Sequence, residues 1–205
     1  QVAPAAPRGY RPFYISHYGR HGSRYQTAPE KYSQPLEIFE KACKDGKLTA
    51  LGLDALRRVR ILADDAYLRA GDLSRRGERE QRGIAERMVM CYPQVFDGKG
   101  ADHITCFASP SVRCVMSMAA FTERVKEFNP KLEFTRNASE HDIDITRPEK
   151  NMNVFYKKAR VMAREYQQRN TEDRDFVSRL FNDYDYAEKL ICSTYNTTST
   201  YAFIG

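Results

Sequence analysis

The chain has 205 residues, of which 41% are hydrophobic and 29% are charged, and its length suits one domain or one domain with a large insertion. No run approaches the roughly 18 uninterrupted apolar residues of a membrane-spanning helix, which argues against a membrane protein. The formal net charge of +6 favours an anionic partner, which could be a phosphorylated small molecule, nucleic acid or an acidic surface.

The beginning of the sequence resembles the end of a mature exported protein. It starts with Gln1, not Met, and its first seven residues form an irregular run that is rich in alanine and proline. Such a run is typical of the end that remains after a signal peptide is removed, and an arbitrary start of the sequence is the alternative. We therefore predict that the protein is periplasmic or secreted.

The first strong pattern is a strand that leads into a loop. Residues 12–18 are rich in aromatic and β-branched side chains, which predicts a buried strand, and the loop follows at 19–24. Helices are then predicted at 31–43, after an N-cap at Thr49 and after an N-cap at Ser74. In these segments apolar residues recur at three- and four-residue spacing.

A second strand and a further helix are predicted in the middle of the chain. Residues 103–108 indicate the strand, and Ser109 and Pro110 are typical of the N-cap and the first position of a helix. This helix would carry Arg113 in its first turn, where free backbone N–H groups also point. A third strand is predicted at 131–134. The residues expected to face the core from the helix are Val112, Val115, Met116, Ala119 and Val125.

Strands that alternate with helices at these distances predict an α/β fold, with a mostly parallel sheet flanked by helices. After Pro148 the pattern changes to two helical stretches, at about 149–170 and 172–192. The first of them has an apolar stripe of Met152, Phe155, Ala159, Met162 and Tyr166. We therefore predict an α/β core at 1–147, a helical insertion or subdomain at 148–192, and at 193–205 the start of a segment that looks truncated.

The cysteines form no recognisable metal or disulfide pattern. None lies in a C-x-x-C pair and they are far apart in the sequence, so a zinc site is not indicated and the disulfide pairing is left open. The five are Cys43, Cys91, Cys106, Cys114 and Cys192.

The loop after the first predicted strand contains the candidate residues for phosphate binding and phosphoryl transfer. Arg20 and Arg24 flank His21 in a tight loop beyond the end of a strand, which is where open α/β sheets bind ligands. Guanidinium groups match phosphate oxygens two at a time, and Gly22 lets a phosphate approach the backbone. A neutral imidazole in this setting can attack phosphorus and form a phosphohistidine that water later hydrolyses.

Three stretches resemble the histidine acid phosphatase family of the histidine phosphatase superfamily. Gly-Arg-His-Gly-Ser-Arg at 19–24 is similar to the family's signature. Leu-Ser-Arg-Arg-Gly-Glu-Arg-Glu at 73–80 resembles its helix opening of the L-[ST]-x-x-G-x-x-[EQ] type. Ala-Ser-Pro-Ser-Val-Arg-Cys-Val-Met-Ser at 108–117 resembles its second strand end, which bears another phosphate-binding arginine.

Transferred residue by residue, the resemblance implies that His21 is the nucleophile and that Arg20, Arg24 and Arg113 bind phosphate. It implies a phosphomonoesterase without a metal or another cofactor, acting on an anionic phosphorylated small molecule. Tyr25 after the motif, with the Arg-Cys and Met-Ser pairs around Arg113, favours the multiple inositol polyphosphate phosphatase branch, whose members release phosphate from phytate.

The family's third motif is not recognisable in this sequence. It is a His-Asp or His-Ala-Glu motif near the end of a chain about twice this length, and it supplies the general acid. Glu140-His141-Asp142 contains the letters but follows the third strand directly, so we interpret it as a polar loop. We interpret His17 and His103 as packed or hydrogen-bonded strand residues, and we expect the general acid outside these residues.

Three other functions stay open. One is a phosphotransferase similar to phosphoglycerate mutase, against which the match around Arg113 and the helical insertion count. Another is a phosphate-binding module, or an incomplete fragment, that lacks turnover because the general acid is absent. The last is a nucleic-acid binder that uses the arginines between 57 and 82. These arginines mostly lie off the apolar stripes, which favours a solvated face, so we expect neither a nucleic-acid nor a membrane partner.

Overall fold

The computed structural model describes residues 6–99, 103–146, 154–170, 173–197, 200 and 203. The contacts divide the chain into two compact units. The described part of the first unit comprises 6–25, 71–99 and 103–146. The described part of the second unit comprises 26–70, 154–170, 173–197, 200 and 203.

The described elements are mostly helical, with one parallel pair of strands. Short 3-10 helices lie at Pro93–Val95 and Glu140–Asp142. In chain order the elements are α1 (Glu30–Lys44), α2 (Ala50–Ala66), α3 (Arg75–Cys91), β1 (His103–Phe107), α4 (Val112–Phe128), β2 (Glu133–Asn137), α5 (Ile143–Thr146), α6 (Val154–Asn170), α7 (Asp173–Leu180) and α8 (Tyr184–Tyr195).

The first unit is built on a strand-helix-strand crossover. β1 and β2 are parallel and in register from His103 opposite Glu133 to Phe107 opposite Asn137, with α4 as the connection between them. Helices α3 and α4 pack against each other. The apolar core of this unit comprises Ala85, Val89, Phe96, Val125 and Leu132. The predicted second and third strands are thus present, and the third, at Glu133–Asn137, begins two residues and ends three residues later than predicted.

The prediction of a buried strand at 12–18 is wrong. The structure assigns no strand to this segment, and Phe13 and Tyr14 are 86% and 71% exposed. Aromatic and β-branched residues favour a strand only where a neighbouring strand completes the hydrogen bonds. Among the described residues β1 pairs only with β2. The segment is attached through side chains instead: Ile15 packs on the apolar core, and the His17 ring stacks on that of Phe121 with 5.8 Å between centroids.

Helix α4 differs from its prediction in its start and in its buried face. It begins at Val112 with Ser111 as N-cap, so the prediction that Ser109 is the cap is wrong. Arg113 still lies in the first turn. Val112 and Met116 are exposed, whereas Ser117 and Thr122 are buried among apolar residues. Hydroxyls can be buried here because each has hydrogen-bond partners, a condition that an apolar periodicity does not reveal.

The second unit is a helical cluster. Its N-cap prediction is confirmed, because the Thr49 hydroxyl accepts from the Gly52 N–H. The stretch predicted as one helix at 172–192 is two helices, α7 and α8. The second begins after Asp183, whose side chain caps α8 and forms an ion pair with Lys47. Ala159, Met162 and Tyr166 of the predicted apolar stripe are exposed, and Met152 lies outside the described residues. The core comprises Ile38, Phe39, Ala42, Leu56, Val177, Leu180, Phe181, Ala187, Leu190 and Ile191.

The predicted boundaries at 147/148 and 192/193 stay a prediction. The structure adds that residues 26–70 belong to the same compact unit as the described C-terminal helices. Within that unit α1 packs on α2 and α8, and α2 packs on α7. All five cysteines are free. None of the helices in the described part of the chain has the length and apolarity needed to cross a membrane.

Candidate active site

The loop that contains His21 is joined to the start of α3. Ser74 caps this helix, as predicted, by accepting from the Gly77 N–H at 3.1 Å. The N–H and the hydroxyl of Ser74 both donate to the Ser23 carbonyl, at 2.9 and 2.8 Å. The Tyr25 N–H donates to the Asp72 carbonyl at 2.9 Å. The loop and the N-terminal turn of α3 therefore hold each other in place.

Two glycines bring the loop backbone directly against α3. A Cβ on Gly22 would lie 2.3 Å from the Gly77 carbonyl oxygen, and a Cβ on Gly77 would lie 2.2 Å from the Ser23 carbonyl oxygen. Both distances are below van der Waals contact, and the obstructing atoms belong to the backbone. Glycine at both positions is therefore required by the close approach.

Glu80 holds the next residue of the loop. Its carboxylate accepts from the Ser23 N–H at 2.8 Å and from the Ser23 hydroxyl at 2.8 and 2.9 Å, and Arg76 donates to it at 3.1 Å. These hydrogen bonds, led by that from the Ser23 backbone, hold the pKa of Glu80 below its ordinary value of 4.5. The carboxylate thus stays ionised and remains hydrogen-bonded to Ser23 in mildly acidic solution.

The replacement Glu80→Gln is expected to lower stability near neutral pH and to have little effect in strong acid. Because the folded state lowers the pKa of Glu80, its contribution is complete above the ordinary value and is lost as the pH falls through the lowered one. Thermal unfolding of both proteins between about pH 3 and 7 measures the difference. The same difference in unfolding temperature at every pH would contradict this assignment.

The imidazole of His21 is half-buried, and one of its nitrogens is engaged. Nδ1 lies 2.8 Å from the Gly22 carbonyl oxygen. A carbonyl oxygen can only accept, so this hydrogen bond assigns a proton to Nδ1. In the neutral imidazole this is the tautomer with a lone pair on Nε2, which a nucleophilic Nε2 needs.

The backbone of Arg113, on α4, is linked to the loop through Ser117. The Gly22 N–H donates to the Ser117 hydroxyl at 3.1 Å, and that hydroxyl donates to the Arg113 carbonyl at 2.7 Å. Among the described residues the buried Nε of Arg113 has no hydrogen-bond partner. Buried guanidinium nitrogens are normally paired, so this atom is a candidate donor to an anion.

The other two predicted arginines lie on the loop itself. The Arg20 side chain is exposed, and its carbonyl accepts from the Gln81 side-chain amide at 3.0 Å. Arg24 is half-buried and donates from Nη1 to the Tyr25 carbonyl at 2.8 Å. The structure thus brings the loop and the first turn of α4 together, while the roles of these residues in binding and catalysis stay predictions.

Three residues that hold the loop were not identified from the sequence: Glu80, Gln81 and Ser117. Glu80 ends the stretch at 73–80 that drew attention as a motif, so a signal existed for its position but not for its contact. Ser117 likewise ends the stretch at 108–117, and nothing in the local pattern indicated that it would contact Gly22, which lies 95 residues away.

The other histidines have local contacts. His17 stacks on Phe121, and the Nε2 of His103 lies 2.7 Å from the Thr135 hydroxyl. The His141 side chain is 91% exposed in the 3-10 helix Glu140–Asp142, next to Asp142. Across the residues that the structure describes, no three metal-ligating side chains form a cluster.

The arginines between 57 and 82 mostly form ion pairs with acidic residues. Arg57 and Arg58 contact Asp54, Arg76 contacts Glu80, and Arg82 contacts Glu127. Such pairing neutralises much of the positive charge, which agrees with a solvated face and weakens the nucleic-acid interpretation.

Comparison with known proteins identifies the fold but not a family. No protein-family model and no curated protein matches the sequence. Two similar solved structures are those of the Bifidobacterium longum multiple inositol polyphosphate phosphatase, one in complex with inositol hexasulfate and one with phosphate. Their TM-scores are 0.61 and 0.62 at 18% and 17% sequence identity.

The likeness extends over 89% and 88% of this chain but only 45% and 44% of those proteins. The chain therefore spans just under half of their length. It has the histidine-phosphatase-like α/β fold, which confirms the fold class expected from the sequence.

Proposed function

We propose that the chain carries the phosphate-handling part of a phosphomonoesterase that works through a phosphohistidine at His21. The observation that carries this proposal is the buried, unpartnered Nε of Arg113 on a helix that is hydrogen-bonded to the His21 loop. Arg113 on α4 thus supplies a hydrogen-bond donor to an anion, and the linked loop supplies His21 as the nucleophile. The similarity in fold to an inositol polyphosphate phosphatase supports the same reaction class.

In the proposed reaction Nε2 of His21 attacks the phosphorus of a phosphate monoester, and the bond from phosphorus to the ester oxygen breaks. Arg20, Arg24 and Arg113 neutralise the charge on the phosphoryl oxygens as it develops. The Nδ1–H bond to Gly22 keeps the ring oriented throughout. Water then attacks the phosphohistidine, releases inorganic phosphate and restores the imidazole. The alcohol leaves with a proton from a general acid that we assign to no described residue.

We further propose inositol polyphosphates, such as phytate, or other organic phosphates as substrates. The complexes of the neighbouring structures with phosphate and with inositol hexasulfate support an anionic, polyphosphorylated ligand. The net charge of +6 has the matching sign. A periplasmic or secreted location, expected from the first seven residues, also stays a proposal.

Phosphate binding without turnover is the second candidate. It is supported by the three remaining histidines, each of which has a local contact or an exposed position in the structure. In this case the clamp would hold a phosphorylated ligand while the general acid would have to come from elsewhere.

The proposal is tested by measuring the release of inorganic phosphate from phytate and from an aryl phosphate between about pH 4 and 7. Turnover, or a phosphorylated histidine without turnover, would support the phosphatase. Binding of phosphate without either would favour the second candidate. Absence of both binding and phosphorylation would contradict the site.

The replacement Arg113→Ala is expected to weaken binding of inorganic phosphate about 10- to 100-fold, because it removes a charge-assisted donor from a buried position. Isothermal titration calorimetry with phosphate measures the change. Arg124→Ala is the matched control, since Arg124 lies on the same helix but pairs with Glu86 and Glu127. An equal loss of phosphate affinity in both variants would show that Arg113 acts only through the net positive charge of the protein.

A further inference from the structure

Ser117 joins the two halves of the site. It is 5% exposed and lies on α4, one helical turn after Arg113. Its oxygen accepts from the Gly22 N–H at 3.1 Å, and its proton goes to the Arg113 carbonyl at 2.7 Å. One hydroxyl therefore connects the loop of His21 with the turn that carries Arg113.

Gly22 is held on both of its peptide groups. The peptide group that it shares with His21 is held by Ser117 through the Gly22 N–H. The peptide group that it shares with Ser23 is held by Glu80 through the Ser23 N–H, and the carbonyl of this second group accepts from Nδ1 of His21. The backbone of Gly22 has little room to shift, because Gly77 lies directly against it. The direction of the Gly22 carbonyl determines where Nδ1 can donate, and hence where Nε2 points.

We propose that Ser117 is a positioning residue that, together with Glu80, fixes the orientation and tautomer of the His21 imidazole through the two peptide groups of Gly22. The inference rests on the proposed function, since it concerns the nucleophile of that reaction. Ser117 itself does not touch the phosphate. It aligns the lone pair of Nε2 with phosphorus and keeps the loop in register with the first turn of α4.

A hydroxyl is the group this position needs. It must accept from a buried N–H and donate to a helix carbonyl at the same time, which serine and threonine can do and alanine cannot. With alanine, the buried Gly22 N–H would lose its partner, and the peptide would turn to find another. Even a small misplacement of a nucleophile slows its reaction strongly.

The test uses the full chain labelled with ¹⁵N and compares Ser117→Ala, Ser117→Thr and the control Thr122→Ala. Thr122 is also a buried hydroxyl of α4, and its hydrogen bonds within the described part of the chain are to Ala119 and Arg136 and not to the loop. Three quantities are measured: exchange of the Gly22 amide, the imidazole ¹⁵N shifts of His21, and the rate of phosphohistidine formation from an aryl phosphate. Calorimetry with inorganic phosphate gives the affinity.

In Ser117→Ala we expect Gly22 amide exchange to rise about 10-fold, and His21 to change from one tautomer to a mixture. Phosphohistidine formation should slow about 10- to 100-fold, while phosphate affinity changes less than about 3-fold. Ser117→Thr should keep the single tautomer and most of the rate. Thr122→Ala should leave Gly22, His21 and the rate as they are.

The proposal is overturned if Ser117→Ala leaves the His21 tautomer and Gly22 exchange unchanged, or if Ser117→Thr is as slow as Ser117→Ala. It is also overturned if the tautomer changes while phosphohistidine forms at the original rate. If the unaltered chain forms no phosphohistidine and binds no phosphate, the proposed function fails. The two nuclear magnetic resonance readouts still decide whether Ser117 sets the imidazole.

Discussion

Replacement of His21 by alanine is expected to abolish phosphohistidine formation and to reduce any phosphate release at least about 1000-fold. The arginines and the backbone of the loop remain in this variant, so binding of inorganic phosphate should persist within about one order of magnitude. A single replacement should thus remove phosphoryl transfer while phosphate binding is retained. The measurement is transfer from a labelled aryl phosphate, stopped in alkaline detergent because the phosphorus–nitrogen bond of phosphohistidine breaks in acid.

The replacement His103→Ala is the control for the loss of a histidine. His103 lies in the same unit, is exposed, and contacts only the Thr135 hydroxyl in the hydrogen bonds described for its ring. This variant should keep the phosphorylation rate of the unaltered chain. If the His21→Ala protein still becomes labelled, another residue is the nucleophile. His103→Ala would then be the first variant to re-examine.

The replacement Gly77→Ala is expected to destabilise the first unit by about 3 kcal/mol, the upper part of the range for overpacking. The added methyl group would lie 2.2 Å from the Ser23 carbonyl oxygen and 2.7 Å from the Ser23 nitrogen. Neither backbone atom can move without breaking the hydrogen bond that the Ser23 carbonyl accepts from Ser74 or the one that the Ser23 N–H donates to Glu80. Urea unfolding followed by circular dichroism measures the loss, and weaker phosphate binding should accompany it because the loop is displaced.

Gly83→Ala provides the matched control on the same helix. A Cβ at Gly83 meets only the end of the Arg87 side chain, at 3.1 Å, which can swing aside. Alanine should therefore stabilise α3 by about 0.5–1 kcal/mol through its higher helix propensity. Similar unfolding curves for the two variants would contradict the close packing of the loop on α3.

Local chemistry explains what could be predicted from the sequence. Thr49 and Ser74 were identified as N-caps because a hydroxyl before an apolar periodic segment has one common use, and both accept from the N–H three residues later. The helices at Glu30–Lys44, Ala50–Ala66 and Arg75–Cys91 follow from the same periodic pattern. The α/β fold class was also predictable, because alternating helices and strands leave few arrangements.

The candidate site was predictable only in part. The residue types around His21 indicate phosphate chemistry from their side chains alone. Their support was not predictable, since Glu80, Gln81 and Ser117 reach the loop from 57, 61 and 95 residues away. Contacts at such separations leave no periodic signal in one sequence.

The sequence by itself determined where α2 and α3 begin and the fold class, and it predicts which residues handle phosphate, since each depends on neighbouring residues or on a repeated pattern. Only the tertiary structure decided that residues 12–18 form no strand, that α4 buries Ser117 and Thr122, and that Gly22 packs on Gly77. The physical reason is the same in each case. A strand needs a partner, a buried hydroxyl needs an acceptor or donor, and a glycine contact needs an opposing backbone, and all of these come from distant parts of the chain.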